Sequence, residues 1–519
     1  MNAVPRLGLN VRSARPQKRY KPRLFSTLRA AATSHVMRDG LKNSVFRDNI
    51  RDNRLIEVPP EVRRIIGTKD FQRLRRVRQM GLSYLVFPTA EHSRFSHSIG
   101  VYATAREFFH KLRIKADELT IEVPALQFNE AAEKSFCAAA MCHDLGHTAF
   151  SHVLEKTLLP ASVRRHEDCS IRLLRESPEL RDAVEEYTGD LNSVALFIDR
   201  ERDHPNLALN TLISGPFDVD RADYLIRDSQ AAGVRYGLYD LSWLLHAAML
   251  DINDLHQPIL TFDGPRGMDA LRQFLSARRY MYRNVYLHPT IRSAQLLLSK
   301  IFERINERRL AGDRLDIQLI TLAPKGLQGF LSSRDISLED FRCTTDVEVE
   351  YFIRLAAEEA SDALLRRLCS DFTKRCFPKC VFDSGRMARD LVQEEGIVQA
   401  LGQQLPLLDD GRRADTDVLN ECREIVSQRL VANGEDGDLA KYLVYYERYQ
   451  DRNEDYAALR DMRLRFGQRV VKLDEVQNRQ AGYVPSRLVE PFELYRLFVP
   501  EAYRTEVYKK LARSSRNGS

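Results

Sequence analysis

The sequence lacks several features that would assign it to a class at once. No stretch approaches about 18 uninterrupted apolar residues, so no transmembrane helix is predicted. The N-terminus lacks the apolar segment of about 7–15 residues that marks a secretory signal. The 8 cysteines include no Cys-X-X-Cys pair, which argues against a disulfide framework in a chain of 519 residues. These absences predict a cytoplasmic protein with no membrane-bound part.

Acidic residues are missing from the start of the chain. None precedes Asp39, whereas Arg and Lys are frequent there. Residues 1–43 are therefore interpreted as a basic, flexible N-terminal arm that could contact nucleic acid or a partner chain. The same composition resembles an organelle transit peptide, and an ordered packing segment is a third interpretation. The net charge of the whole chain, +6, suits an anionic partner without identifying one.

The length and the apolar periodicity predict more than one structural region. After a short hairpin, helical spacing dominates residues 44–325, so this part is expected to be a helical domain. Residues 326–519 mix helix and strand patterns and are predicted to form a smaller α+β region with a regulatory or oligomerising role. The predicted fold class is thus mainly α. The segments with helical patterns include Phe71–Met80, Phe95–Leu112, Glu130–Leu145, Ser170–Glu185 and Ser242–Leu250.

A His-Asp dipeptide, His143-Asp144, ends an alanine-rich helical pattern. Adjacent helical residues project about 100° apart, so an imidazole and a carboxylate placed in this way can reach one ion together. His147 lies one turn further on, and Gly146 allows a ligand or another backbone to approach closely. On its own, the dipeptide is equally consistent with a surface ion pair or a helix C-terminal cap.

Two further segments carry residue types that would complete a metal site. His92 and His97 flank Arg94 at the start of a helical pattern, and Asp220 precedes Asp223 by three residues in another. The three segments together form the pattern H…HD…D. Two neutral imidazoles and two carboxylates suit a divalent ion such as Fe, Mn, Zn or Co, with Mg as a further candidate. The alternative for the Asp-rich segment is an exposed ladder of helical charges.

The combined motifs resemble the HD-domain phosphohydrolases. Residues 45–286 are most similar to the deoxynucleoside triphosphate triphosphohydrolases, which include the vertebrate sterile-alpha-motif/HD enzyme and bacterial dGTPase relatives. The resemblance implies metal-dependent hydrolysis of a deoxynucleoside triphosphate to deoxynucleoside and triphosphate. It rests on the strings Phe71-Gln-Arg-Leu-Arg, Gln79-Met-Gly, Val86-Phe-Pro, His92-Ser-Arg-Phe-Ser-His-Ser-Ile-Gly-Val, His143-Asp-Leu-Gly-His-Thr-Ala-Phe-Ser-His, His166-Glu and Asp218-Val-Asp-Arg-Ala-Asp-Tyr.

The resemblance also implies a role for each matching residue. The implied metal ligands are His97, His143, Asp144 and Asp220. The implied proton-exchanging or phosphate-contacting histidines, each with an orienting carboxylate nearby, are His152 and His166 with Glu155 and Glu167. The implied phosphate contacts are Arg94 and His147. The implied sugar contacts and pocket-closing residues are Gln79, Met80, Tyr224 and Asp228, followed by Arg278 and Tyr286.

The chain departs from the family pattern at a few positions. Gly67 stands where activated members carry an Asp that binds a regulatory nucleotide, which argues against that regulatory site in its usual form. Arg221 replaces a Lys and Ala222 replaces a bulky aromatic residue, so a wider or differently selective pocket is expected. Homo-oligomerisation is implied by the resemblance alone.

Two other functions compete with the leading hypothesis. One is a nucleotide or oligonucleotide phosphodiesterase, or a nuclease, that uses the same site. The other is a nucleic-acid or partner-binding protein on an inactive HD scaffold, for which the basic arm would be the contact region.

Overall fold

A computed structural model defines the fold for most of the chain. It describes residues 43–50, 54–118, 128–159, 163–199, 204–310, 317–332, 336–383, 414–450, 458–479, 488 and 490–514. The predicted basic arm, residues 1–43, lies outside the described residues apart from Asn43. The interpretations of that arm therefore stay predictions.

Helices dominate the part of the chain before residue 325. The first described elements are the strands Ser44–Arg47 and Leu55–Val58, which pair antiparallel as the predicted hairpin. The α-helices that follow are Pro60–Gly67, Lys69–Arg73, Arg94–Glu118, Glu130–Cys142, Glu155–Leu158, His166–Glu176, Pro178–Thr188, Leu191–Ile198, Leu207–Ser214, Val219–Ala231, Leu241–Ala247, Gly264–Met281, Pro289–Leu310 and Ile317–Leu322. Short 3-10 helices cover Leu74–Arg76, Gly81–Leu85 and Ser151–Val153, and a π-helical turn covers Tyr282–Tyr286. Among the described helices, none has the length and apolar character that crossing a membrane requires.

The remainder of the chain combines helices with strands. Its α-helices are Lys325–Ser332, Leu338–Arg342, Asp346–Glu359, Ala363–Thr373, Ala414–Ala432, Leu439–Leu443, Leu473–Arg479 and Arg504–Ser514. A three-stranded antiparallel sheet has Glu493–Val499 at its centre, between Lys379–Asp383 and Tyr445–Gln450. The prediction of a mainly α fold with an α+β C-terminal region is confirmed.

A four-stranded sheet contains segments that are far apart in the sequence. Ala248–Ile252 pairs antiparallel with Pro258–Asp263, which pairs in parallel with Arg463–Phe466. Arg469–Lys472 completes the sheet next to Arg463–Phe466. The sheet thus takes strands from both sides of the domain boundary predicted between residues 325 and 326, and that boundary stays a prediction.

One predicted helix is interrupted by a proline. The segment Ser170–Glu185 is divided between the helices His166–Glu176 and Pro178–Thr188. Pro178 has no N–H with which to continue the first helix, and it favours an extended conformation at Ser177, whose ψ is 107°. The prediction of one continuous helix is wrong for this reason.

Two other predicted helices are shorter than their apolar spacing indicates. The helix predicted over Phe71–Met80 ends at Arg73 and gives way to a 3-10 turn. Beyond that turn, the carbonyl oxygen of Val77 accepts a hydrogen bond from the N–H of Arg94 at 2.9 Å, so the backbone is no longer available to a helix. The helix predicted over Ser242–Leu250 is also cut short, because its last residues form a sheet strand.

Close packing of helices brings the sequence motifs together. The helix Arg94–Glu118 packs against both Glu130–Cys142 and Val219–Ala231. The small side chains of Ala138 and Ala139 are fully buried, and such residues allow helices to approach closely. As a result, the start of two helices and the end of a third lie around one space.

Gly146 shows how tightly this region is packed. A Cβ atom at this position would collide with the backbone carbonyl of His166 and with the backbone nitrogen of Ser170. The N–H of Gly146 also donates to Ser170 Oγ at 2.8 Å. The turn that follows His143 therefore rests directly on the helix that begins at His166.

We predict that Gly146→Ala destabilises the protein by about 1–3 kcal/mol, because two backbone segments would have to separate. Chemical denaturation of the variant and the wild type measures this difference. Gly67→Ala is the matched control, since an added Cβ at Gly67 has no atom within 4 Å. Equal stability of the two variants would contradict the packing described for Gly146.

Candidate functional site

The three motifs of the sequence meet at one place. His97 lies in the first turn of its helix, His143 directly follows the last residue of the second helix, and Asp220 lies in the first turn of the third. Their possible ligand atoms all lie within 4.8 Å of one another. The Nε2 atoms of His97 and His143 are 3.0 Å and 3.6 Å, respectively, from Asp220 Oδ1.

Asp144 is buried beside these three residues and completes the group called the first cluster: His97, His143, Asp144 and Asp220. Its Oδ1 lies 3.2 Å from His143 Nε2, and its Oδ2 lies 3.6 Å from His97 Nε2. Oδ1 is also 3.2 Å from Nε2 of His147. Asp144 therefore links the first cluster to a further group of histidines.

The hydrogen bonds of the two histidines fit metal binding. His97 Nδ1 lies 2.9 Å from Asp223 Oδ2, and His143 Nδ1 lies 2.8 Å from the carbonyl oxygen of Ala140. These contacts place a ring proton on Nδ1 and leave Nε2 as an electron-pair donor. Within the described part of the chain, neither buried Nε2 makes a hydrogen bond of good geometry, although both face Asp220 Oδ1. Two such nitrogens facing two carboxylates form a donor set suited to a divalent metal ion.

The carboxylates give this cluster a strong preference for positive charge. Burial by itself would lower the pKa of His97, but Asp220 and Asp223 outweigh it and raise that pKa to about 10. Asp144 and Asp220 likewise overcome burial and raise the pKa of His143 to about 9. Since a histidine binds a metal only in its neutral form, an ion has to displace these protons, and its apparent affinity falls as the pH falls.

A buried network of charged side chains adjoins the Nδ1 side of His97. Asp223 accepts hydrogen bonds from Arg227 Nε at 2.7 Å and Nη2 at 3.0 Å. Arg227 also donates two bonds of 3.0 Å to Asp48, which directly follows the first strand of the hairpin. A Cβ atom at Gly100 would collide with both Asp223 and Arg227. The orientation of His97 thus depends on a network that reaches the N-terminal hairpin.

The second cluster consists of His147, His152, Glu155 and His166, whose possible ligand atoms also lie within 4.8 Å of one another. Glu155 contacts Nδ1 of His166 at 2.6 Å and Nδ1 of His152 at 3.0 Å. The ring of His147 stacks on that of His166, with centroids 3.8 Å apart. Glu167 Oε2 lies 3.3 Å from His166 Nδ1. The side chain of His152 is 68% exposed, so it can reach a bound molecule or solvent.

The electrostatics keep two members of this cluster in defined charge states. Burial would raise the pKa of Glu155, but the hydrogen bonds to His152 and His166 hold it well below its usual range. Burial, together with the positive charge of Arg94 and the proximity of His166, holds the pKa of His147 well below its usual range. Near neutral pH, Glu155 is therefore an anion and His147 is uncharged.

Arg94 lies between the two clusters and is nearly fully buried. Its Nη1 donates to Asp144, and its Nη2 donates to Ser151 Oγ at 2.7 Å. The guanidinium therefore compensates the Asp144 carboxylate and is held in place by the segment that leads to His152.

Three of the residues implied as substrate contacts lie around the first cluster. Asp228 accepts a hydrogen bond from Tyr286 Oη at 2.8 Å and contacts His92 Nε2 at 2.7 Å. The ring of Tyr224 lies between this pair and the first cluster, with its centroid 6.2 Å from that of Tyr286 and 6.4 Å from that of His97. Two tyrosines and a carboxylate therefore adjoin the first cluster.

The other implied contacts differ in their surroundings. Gln79 Oε1 is buried and has no hydrogen-bond partner among the described residues, which leaves an acceptor for a ligand hydroxyl. Met80 belongs to the hydrophobic core. The guanidinium of Arg278 lies 5.1 Å from the centroid of the Tyr282 ring. The roles of all three residues stay predictions.

Sequence reasoning gave no supporting role to the residues that orient the ligands. The spacing of Asp223 and Arg227 places them on one helical face with Asp220, but spacing does not show that this face is buried. Asp48 gives no signal at all, because its partner Arg227 is 179 residues away and an isolated Asp is an ordinary residue.

Comparisons with known proteins agree with this geometry. The family model described as "HD domain" matches residues 94–228, which include both clusters. The protein YwfO of Bacillus subtilis is 32% identical over 336 residues, covering 64% of this chain and 71% of YwfO. A Dictyostelium discoideum protein named deoxynucleoside triphosphate triphosphohydrolase SAMHD1 homolog is 29% identical over 300 residues, or 55% of each chain. The chain spans about half the length of the other curated relatives that it matches, including the Dictyostelium protein.

Solved structures show the same fold. A phosphohydrolase from Bacteroides thetaiotaomicron aligns with a TM-score of 0.68 and 24% identity, over 89% of this chain and 100% of the other. A protein from Aquifex aeolicus aligns with a TM-score of 0.61 and 20% identity, over 90% of this chain and 100% of the other. At these identities, the similarity concerns the fold.

We predict that Asp223→Asn weakens the affinity for a divalent ion by roughly 10–100-fold, because the amide no longer fixes the charge and orientation of the His97 ring. Competition with a chromogenic chelator, with Mn²⁺ or Co²⁺ as the ion, measures this affinity. Asp70→Asn is the matched control, since buried Asp70 pairs with Arg342 and Ser177 instead. Equal affinities of the two variants would exclude a supporting role for Asp223.

Proposed function

Because this chain belongs to the HD-domain family of metal-dependent phosphohydrolases, we propose that it hydrolyses deoxynucleoside triphosphates to deoxynucleoside and triphosphate. The observation that carries the proposal is the pair of adjoining clusters, which Asp144 of the first links through its contact with His147 of the second. One has the donors for a divalent ion, and the other has histidines paired with a carboxylate. Hydrolysis at phosphorus needs both kinds of group, because oxygen charge must be neutralised and protons must move.

The ion would be held by His97, His143, Asp144 and Asp220. When bound, a divalent ion neutralises charge on phosphate oxygens and lowers the pKa of a coordinated water. The Nε2 atoms of the two histidines support this assignment, because both face the carboxylates without a hydrogen bond of good geometry.

The second cluster would move the protons and contact the phosphates. His166 and His152 both contact Glu155, so a proton gained by either imidazole is stabilised by the same carboxylate. This arrangement suits transfer of a proton to the leaving oxygen of the deoxynucleoside. Arg94 and neutral His147 would add hydrogen-bond donors for the phosphate chain, and Glu167 would help to orient His166.

The nucleoside would lie against the tyrosine side of the first cluster. Tyr224, Asp228 and Tyr286 offer an aromatic wall and hydrogen-bonding groups beside the ion. Gln79 Oε1, the buried atom without a partner, is an acceptor for a sugar hydroxyl. Met80 and Arg278 would complete the pocket.

Support for the substrate class comes from the relatives. Proteins of Dictyostelium discoideum, Gallus gallus and Danio rerio that match this chain carry the name deoxynucleoside triphosphate triphosphohydrolase. A homo-oligomeric state and binding of nucleic acid by the basic arm stay predictions.

We predict that the purified protein with Mn²⁺, Mg²⁺, Fe²⁺ or Co²⁺ releases deoxynucleoside and intact triphosphate from at least one deoxynucleoside triphosphate. Chromatography of the products, with ribonucleotides and a single-stranded oligonucleotide as parallel substrates, tests this. If only the oligonucleotide is cut, the activity is that of a phosphodiesterase or nuclease. If nothing is cut, with or without added nucleotide activators, a binding role replaces the proposal.

We further predict that Asp144→Ala abolishes hydrolysis and bound metal while the protein stays folded, since Asp144 belongs to the first cluster and also contacts His147. Metal content by mass spectrometry, circular dichroism and product analysis are compared with those of Asp240→Ala, which changes an exposed helix N-cap. Full activity of Asp144→Ala would disprove its assignment as a metal ligand.

A further inference from the structure

The segment between His147 and His152 contains an unusual backbone. Phe150 has a φ of 54° and Ser151 a φ of 55°, so two consecutive residues that are not glycine adopt the left-handed conformation. L-residues with a Cβ atom rarely occupy this region, and the conformation persists only where the surroundings enforce it. This backbone carries His152 towards Glu155 and presents Ser151 Oγ to Arg94.

A carboxylate from the C-terminal third holds this backbone. Asp346 Oδ1 accepts a hydrogen bond from the N–H of Phe150 at 2.8 Å, although the two residues are 196 positions apart. Asp346 Oδ2 accepts from the N–H of Arg78 at 3.0 Å, next to Gln79. One side chain thus joins the segment that precedes His152 to the segment that carries Gln79 and Met80.

A second contact from the same region reinforces the first. The carbonyl oxygen of Thr344 accepts two hydrogen bonds from Arg73, at 3.2 Å from Nε and 2.8 Å from Nη2. The Nη1 of Arg73 donates to the carbonyl oxygen of His147 at 2.9 Å. Both ends of the segment between His147 and Phe150 are therefore hydrogen-bonded to residues 344–346, at His147 through Arg73 and at Phe150 directly.

The carboxylate is costly to keep where it is. Asp346 is 1% exposed, and burial raises its pKa to about 6 despite the two backbone N–H groups and Arg78. Burying a carboxylate costs free energy, so a carboxylate at this position contributes little to the stability of the fold by itself. Its two acceptor oxygens, however, satisfy two backbone donors that no apolar side chain could satisfy.

We propose that Asp346 is a positioning residue of the active site, which maintains the left-handed backbone at Phe150–Ser151 and so places His152 and Arg94 for reaction. The residue lies outside the span matched by the HD domain model, residues 94–228. The effect on turnover rests on the proposed function, whereas the effect on the backbone does not.

The test compares Asp346→Asn with the wild type. The amide keeps the volume but can accept from only one of the two N–H groups. We expect faster hydrogen–deuterium exchange in peptides that contain Arg78 and Phe150, with unchanged exchange in the helix Val219–Ala231. We also expect unchanged metal content and a kcat lower by on the order of 100-fold, since small displacements of reacting groups have effects of this size.

Asp371→Asn is the matched control for loss of a buried carboxylate. Asp371 lies in the same third of the chain and pairs with Arg367 of its own helix. This control should keep the wild-type kcat and the wild-type exchange at Phe150. Asp346→Glu, which retains both acceptor oxygens, should recover part of the kcat and of the protection, and it serves as the test variant if Asp346→Asn does not fold.

Wild-type exchange at Phe150 in Asp346→Asn, or equal kcat values for Asp346→Asn and Asp371→Asn, would overturn the proposal. If the wild type hydrolyses no nucleotide, the proposed function fails, but the exchange measurement still decides whether Asp346 holds the backbone.

Discussion

The site depends on one constraint, which is that charged groups buried in a helical core must compensate one another. Asp144 is the centre of this arrangement, because its carboxylate contacts His143, His147 and Arg94. A buried carboxylate without such partners would be protonated or expelled into water. His143 and His147 belong to the same motif as Asp144, whereas Arg94 lies 50 residues before it in the sequence, so the balance of charge joins two of the motifs.

The packing around the clusters follows from the same constraint. Little volume is left between the segments that carry the two clusters, and glycine occurs at two of the closest approaches. Gly100 lies against the Asp223–Arg227 pair, and Gly146 lies against the backbone of His166. At Gly100, a side chain would displace Asp223, which contacts the ring of His97. At Gly146, it would separate the turn that follows His143 from the helix that begins at His166. Both glycines thus permit a close approach that any side chain would prevent.

The sequence predicted those features of the fold and of the site that depend on residues close together in the chain. The helical fold and the H…HD…D set could be predicted, because apolar periodicity and short motifs lie within a few residues of each other. The interruption at Pro178 also had a local signal, whereas the early end of the helix after Arg73 depends on pairing with residues near Arg94. Asp48 and Asp346 had no signal, since each acts on a partner almost two hundred residues away.

The C-terminal third is therefore more than an attachment to a catalytic core. It supplies two strands to the sheet that contains Pro258–Asp263. It also supplies Thr344, which is linked through Arg73 to the backbone of His147, and Asp346, which accepts from the backbone of Phe150. A left-handed backbone at two residues with side chains is unfavourable, and the free energy that sustains it has to come from contacts elsewhere. In this fold those contacts come from beyond the matched HD span, so the geometry of the second cluster is a property of the longer chain.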